Sequence, residues 1–125
     1  MEMKNVILDC KDIVVLSRFY IDLLGWPVVY QEGDNWLSIQ SADSTVGIAF
    51  QKNEDYVPPV WPEENGKQQM MLHIDFGVKD SKELHDTVDR AVKLGAKVAE
   101  TQFGGDDWIT LLDPSGHPFC LVIWN

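Results

Sequence analysis

The sequence predicts an α+β fold made of two βαβββ repeats, and three observations carry that expectation. Val6-Ile7-Leu8-Asp9-Cys10-Lys11-Asp12 runs into a helical stretch ending Leu23-Leu24-Gly25-Trp26. Leu72-His73-Ile74-Asp75-Phe76-Gly77-Val78-Lys79-Asp80 runs into another, ending Lys93-Leu94-Gly95-Ala96. After each helix come three short apolar runs separated by turn formers. Two copies of one unit, each too small to bury a core alone, are expected to complete each other, with a ligand site in the gap between them.

Each element has a local reason. Asn5 to Cys10 is an apolar strand. Asp12 is placed to cap the first helix, and Val15, Leu16, Phe19, Tyr20 and Leu23 recur at helical spacing to give one apolar face. Gly25 supplies the left-handed residue that ends it, and Pro27 blocks its resumption. Strands are predicted at Val28 to Gln31, Trp36 to Gln40 and Val46 to Gln51, divided by Gly33-Asp34-Asn35 and by Ser41-Ala42-Asp43-Ser44. In the second copy Met70 to Val78 reads as a strand. Asp80 with Glu83 resembles a capping box, and Leu84, Val88, Ala91 and Val92 form the helix's inner face. His85, Asp86, Asp89, Arg90 and Lys93 read as its solvated face. Gly95 ends that helix, and strands follow at Lys97 to Thr101, Trp108 to Leu112 and Phe119 to Ile123. Asp113-Pro114-Ser115-Gly116 joins the last two with the residue order a type I turn prefers. The whole is expected to be one domain, with repeat one over residues 4–52, a connecting loop over 53–69 and repeat two over 70–125. The loop holds Pro58, Pro59, Pro62 and Gly66 around Tyr56, Val60 and Trp61, and reads equally as a plain linker or as a ligand-covering segment.

Composition narrows the classes of function. The 125 residues are 45% hydrophobic and 24% charged, as in ordinary globular domains. A net charge of -10 argues against nucleic acid and anionic membrane surfaces as partners, and is compatible with a cationic or neutral ligand. Cys10 and Cys120 form no disulfide framework and read as reduced, buried thiols. The Val6-Ile7-Leu8 run near the start is too short for a signal or a membrane span, so a cytoplasmic setting is expected.

The order and spacing of these pieces resemble the vicinal oxygen chelate superfamily, the glyoxalase, bleomycin-resistance and extradiol-dioxygenase fold, and within it the glyoxalase-like subgroup. The carriers are Lys11-Asp12, Phe19-Tyr20 and Leu24-Gly25 in the first half. In the second they are Leu72-His73-Ile74-Asp75, Leu94-Gly95-Ala96, and Asp113-Pro114-Ser115-Gly116 before Phe119-Cys120-Leu121. The resemblance implies a curved mixed sheet with helices on the convex side and the site on the concave side. It also implies, in many members, a divalent metal held by residues from the first and fourth strands of each half, of the types His or Gln, Glu, His, Glu. In this chain those positions fall on Asn5, Ala49, His73 and Cys120. Only His73 matches, so no metal and no other cofactor is expected.

Strand alternation places His73, Asp75 and Gly77 on one face and Leu72, Ile74 and Phe76 against the helices. The same parity turns Asn5, Ile7 and Asp9 inward, with Trp36, Ser38, Gln40, Ala49 and Gln51 from the first half and Trp108 and Thr110 from the last hairpin. His73 reads as a structural histidine, a polar group orienting a ligand or a general base; with no nucleophile evident, the polar pocket wall is favoured. Trp36 and Trp108 read equally as pocket walls and as core. The candidate ligand-binding residues are therefore Trp36, Ser38, Gln51, His73, Asp75, Trp108 and Cys120.

Two functions of different class follow. One is a metal-free small-molecule-binding protein of the glyoxalase/bleomycin-resistance type, with a cationic or aromatic ligand. The other is a metal-dependent glyoxalase-type lyase with a non-standard site on His73 and Cys120, weakened by the missing glutamates. A retained fold with a different reaction is the third possibility. A homodimer is expected, paired through the first strand of each half and the loop carrying Pro58, Pro59 and Trp61, with the Tyr56 to Pro62 segment over the partner's pocket.

Overall fold

The computed structural model describes residues 1–124. They form two compact units, Met1–Tyr56 and a second that begins at Val57, and each carries one βαβββ set. The first contains β1 (Asn5–Cys10), α1 (Ile13–Leu24), β2 (Val28–Glu32), β3 (Trp36–Ile39) and β4 (Gly47–Lys52). The second contains β5 (Ile74–Val78), α2 (Ser81–Leu94), β6 (Lys97–Val98), β7 (Trp108–Leu112) and β8 (Pro118–Ile123). The sheet orders are β1-β4-β3-β2 and β5-β8-β7-β6. In each, the first strand lies parallel to the fourth and the remaining pairs are antiparallel. A parallel pair needs a crossover, which the helix and the two middle strands supply.

The helix ends follow the predicted caps. Asp12 accepts from Val14 N at 2.9 Å and Val15 N at 3.2 Å. Gly25 closes α1 in the left-handed region at φ 69°, its N–H donating to Ile21 O at 2.8 Å. At α2, Glu83 N donates to Asp80 at 2.8 Å, and the Glu83 carboxylate reaches one residue beyond the ordinary capping box to accept from Lys79 N at 2.7 Å.

Each unit packs its helix on one face of its own sheet. In the first, Tyr20 meets Phe19 edge-on at 4.9 Å and stacks on Phe50 of β4 at 5.7 Å. In the second, Phe76 and Phe119 meet edge-on at 6.1 Å, and Leu84, Val88 and Ala91 of α2 are buried. Burying each such large side chain contributes about 1.5–3 kcal/mol. Two residues assigned to the inner faces lie outside them: Val15 is 53% exposed and Val92 44%. Each stands one step round its helix from the buried arc, and small Ser17 takes the inner place in α1.

Two strands are shorter than predicted. The segment expected at Met70 to Val78 pairs only from Ile74, because Met71 takes φ 65° and Leu72 N closes a tight turn on Met70 O at 2.7 Å. Leu72, expected against the helices, is consequently 49% exposed. The segment expected at Lys97 to Thr101 pairs only as Lys97–Val98. Beyond it Ala99 N still donates to Thr110 O at 3.0 Å, and the Gln102 amide completes the pairing, donating to the same Thr110 O at 2.8 Å and accepting from Thr110 N at 2.9 Å. The other strand ends move by a single residue. No helix among the described residues is long and apolar enough to cross a membrane.

The β7–β8 connection is pinned by a buried carboxylate. Gly116 N donates to Asp113 O at 2.8 Å, as the predicted turn requires. The Asp113 side chain, fully covered, accepts from Ser115 N at 2.9 Å and His117 N at 3.0 Å, and lies 2.8 Å from His117 Nδ1. Removing it orphans two backbone donors and the imidazole in a buried setting. Asp113→Ala is therefore expected to lower unfolding stability by about 2–4 kcal/mol, measured by urea denaturation; a loss below about 0.5 kcal/mol would contradict this account.

Candidate functional site

The register across β5, β8 and β7 lines up side chains in rows on the face turned away from α2. Asp75 pairs with Cys120, and Cys120 with Thr110, which makes one row across three strands. Gly77, Val122 and Trp108 make the next row. Phe76, Phe119 and Leu121 alternate to the other face, where Phe119 and Leu121 are buried. His73 stands just before β5, and its Nε2 lies 3.3 Å from Asp75 Oδ1. The imidazole and carboxylate two residues apart thus meet, although His73 lies outside the strand whose alternation was expected to bring them together.

Above these rows is a cavity of about 410 Å³, lined entirely by residues of the second unit. Trp61, Phe103 and Trp108 form its aromatic walls, Thr110, Cys120 and Val122 its floor, and His73 with Asp75 its polar end. Trp61 comes from the connecting segment, which belongs structurally to the second unit. Its indole N–H donates to Thr101 O at 3.0 Å, and its ring meets Phe103 edge-on at 5.9 Å. The unpaired end of the predicted Lys97–Thr101 strand is what frees that carbonyl. Trp108 is seated by Gly104: a Cβ there would come within 2.5 Å of the indole ring and 2.3 Å of the Trp108 carbonyl oxygen.

The remaining candidates lie in the first unit. Trp36 pairs with Gln51 and Ser38 with Ala49, so these four share one face of that sheet; Ser38 and Ala49 are buried, Trp36 is half-buried and Gln51 is exposed. Asn5 is set beside Gly47, where an added Cβ would stand 2.9 Å from its Oδ1. Trp61, Phe103, Thr110 and Val122 are cavity residues that the sequence candidates omit, although Thr110 was expected to face inward. The aromatic content of the connecting loop was the signal for Trp61, and Phe103 stands directly before the Gly104-Gly105 pair.

The chemistry of the cavity floor is set by burial. Cys120 is 4% exposed, and its Sγ lies 3.3 Å from Thr110 Oγ1. Burial pushes the thiol pKa up; the Thr110 hydrogen bond opposes this, while the Asp75 carboxylate adds to it. The group is therefore a neutral thiol across the ordinary pH range, a poor nucleophile.

The four positions of the family's metal site supply an amide at Asn5, no donor at Ala49, an imidazole at His73 and a thiol at Cys120. This set lacks the two carboxylates, and does not fit a hard divalent ion that wants imidazole and carboxylate donors. A different trio, His73, Asp75 and Cys120, brings one donor atom each within 4.8 Å of one another.

Comparisons with known proteins agree with this architecture. The model of the glyoxalase-like domain matches residues 5–122, and the chain belongs to that family. Among solved structures, a glyoxalase/bleomycin resistance protein/dioxygenase family enzyme from Burkholderia phytofirmans superposes with TM-score 0.73 at 19% identity, covering 97% of each chain. A lactoylglutathione lyase from Agrobacterium tumefaciens gives 0.66 at 14% identity, covering 97% of this chain and 92% of that one. A fosfomycin resistance protein from Listeria monocytogenes, complexed with Mn(II) and 1S,2S-dihydroxypropylphosphonic acid, gives 0.70 at 18% identity, covering 99% and 90%. At these identities the likeness is one of fold. No curated protein sequence matches.

The raised thiol pKa has a measurable consequence. Alkylation of Cys120 by iodoacetamide should lag that of the unfolded chain and rise only at more alkaline pH. At fixed pH, Asp75→Asn should accelerate it and Thr110→Val should slow it, each by a few-fold. Site-resolved mass spectrometry checks this; equal rates for folded and unfolded protein at pH 8 would contradict it.

Proposed function

We propose that this protein binds a small organic molecule, aromatic or cationic, in the cavity of the second unit, and acts by holding it without the divalent metal of its enzymatic relatives. One observation carries the reading: a cavity of about 410 Å³ walled by Trp61, Phe103 and Trp108, with His73 and Asp75 at one end. That is the size and character of a small-molecule site, mostly apolar with few convergent polar groups. The thiol on the floor, Cys120, is held neutral, which favours holding a ligand over converting it. The bleomycin-resistance name borne by one structural neighbour is consistent with this role. The setting proposed is the cytoplasm, in keeping with two buried thiols and an acidic chain.

Flat aromatic amines of up to two fused rings are expected to quench tryptophan fluorescence on binding. Trp61→Ala should weaken that binding by about tenfold while the protein still unfolds in one cooperative transition, its melting temperature lowered only by the loss of the Thr101 hydrogen bond and the Phe103 contact. Saturation without any spectral change, or unaltered affinity in the variant, would remove the cavity as the site.

A second reading is favoured by the trio of donors at His73, Asp75 and Cys120. It is a metal-dependent lyase of the glyoxalase type on a non-standard site. Elemental analysis of protein purified without chelator separates the two. The binding reading expects no stoichiometric metal; about one equivalent of zinc, nickel, manganese or iron, lost on His73→Ala, would replace it with the second.

The assembly proposed is a homodimer. β1 and β2 end one sheet and β5 and β6 the other. Val28, Val29 and Tyr30 on β2 are 45%, 55% and 57% exposed, and Ile7 on β1 is 46% exposed, an apolar character that a second copy would cover. Sedimentation at micromolar concentration should give twice the mass of one chain; a mass near 14.2 kDa would overturn the dimer.

A further inference from the structure

The permanent charge lining the cavity of the second unit is negative, with the His73 imidazole set against it. Asp75 stands at its end with a side chain 53% exposed, and no Lys or Arg is among the residues that line it. Aromatic faces carry the negative side of the ring quadrupole, so Trp61, Phe103 and Trp108 add to the carboxylate. The rings are also held at differing attitudes. Trp61 spends its indole N–H on Thr101 O, so it offers the cavity its ring and not a donor, and Phe103 stands at 75° to it. Trp108 cannot retreat, because its ring is packed on the Gly104 backbone. The buried thiol of Cys120 adds no positive charge, and the net charge of -10 biases encounter in the same direction. An anion entering here would meet a carboxylate and three aromatic rings, and the His73 imidazole, the one group in the lining able to carry positive charge, lies 3.3 Å from Asp75 as its partner. This sets the cavity apart from what the ligand of the fosfomycin resistance neighbour, a phosphonic acid, would require.

We infer that the ligand carries an organic cation of the alkylated ammonium class, seated among Trp61, Phe103 and Trp108 with Asp75 as its counter-charge, and that phosphonate-type anions are excluded. This rests on the proposal that the second unit's cavity is the binding site. The alkyl shell of such a cation is weakly hydrated and matches aromatic walls, while its charge is spread over several carbons and needs no donor–acceptor geometry. A bare metal ion or a primary ammonium would ask for oxygen ligands that the walls lack.

Isothermal titration of the full chain with three probes tests it: benzyltrimethylammonium, its uncharged carbon isostere neopentylbenzene, and phenylphosphonate. The cation should bind about tenfold more tightly than the isostere at low ionic strength, and the phosphonate should give no measurable heat. Asp75→Asn should bring the cation and the isostere to within about twofold of each other without weakening the isostere. Phe103→Leu, at a position 62% exposed where folding is not at stake, should also reduce the ratio. An isostere that binds as well as the cation, a ratio unmoved by both variants, or a phosphonate that binds as tightly as either overturns the cation while leaving the cavity as a binding site. If none of the three binds, the binding-site reading falls, and this inference with it.

Discussion

The parallel pairing of β5 with β8, continued by the antiparallel β8–β7 hairpin, is the constraint on which the site depends. Asp75, Cys120 and Thr110 are separated by up to 45 positions in the chain, yet they share one row because each strand contributes one residue per register step. A slip of one residue in β8 would exchange Cys120 for Phe119 or Leu121 and turn the apolar core outward. The slip is resisted from both ends. α2 holds the apolar face of the sheet, and the Asp113 carboxylate gathers the Ser115 and His117 amides into a turn that sets where β8 begins.

Above the strands, irregular backbone does the work of shaping the cavity. The Gln102 amide, in place of backbone, accepts from Thr110 N and shares Thr110 O with Ala99 N, so β6 ends early and Thr101 O is left to receive the Trp61 indole. The absence of a side chain at Gly104 lets Trp108 lie against the backbone. These are loop features positioned by a rigid sheet, the usual way a common fold acquires an individual pocket. The first unit uses the same strand order and pairing, but its corresponding face carries Ala49, Ser38 and Gln51 in place of donors of the metal-binding type.

The chemistry follows from what stands in the rows. A carboxylate in the place of Cys120 would give a hard oxygen donor at the end of the sheet; a thiol there, buried and hydrogen-bonded to Thr110, remains protonated. The negative charge of the cavity lies instead on Asp75, half exposed and beside His73. A neutral floor, aromatic walls and one anionic end are the features on which the proposed binding role rests.

How much was legible in the chain follows from which interactions are local. The two βαβββ repeats, both aspartate caps, the glycine stops and the Asp113–Gly116 turn were readable because each depends on residues a few positions apart. The facing of Asp75, Gly77, Trp108 and Thr110 was readable too, since strand parity is a property of sequence alone, whereas Cys120 was a candidate only through the family resemblance. The premature ends of two strands were not readable: Met71 at positive φ and the Gln102 amide acting across to Thr110 are choices made by contacts eight residues away or by strained backbone. Nor was the assignment of the connecting segment. Its prolines and aromatics were visible, but only the fold brings Trp61 to Thr101 and Phe103, forty residues on, because that contact is long-range packing with no periodicity to announce it.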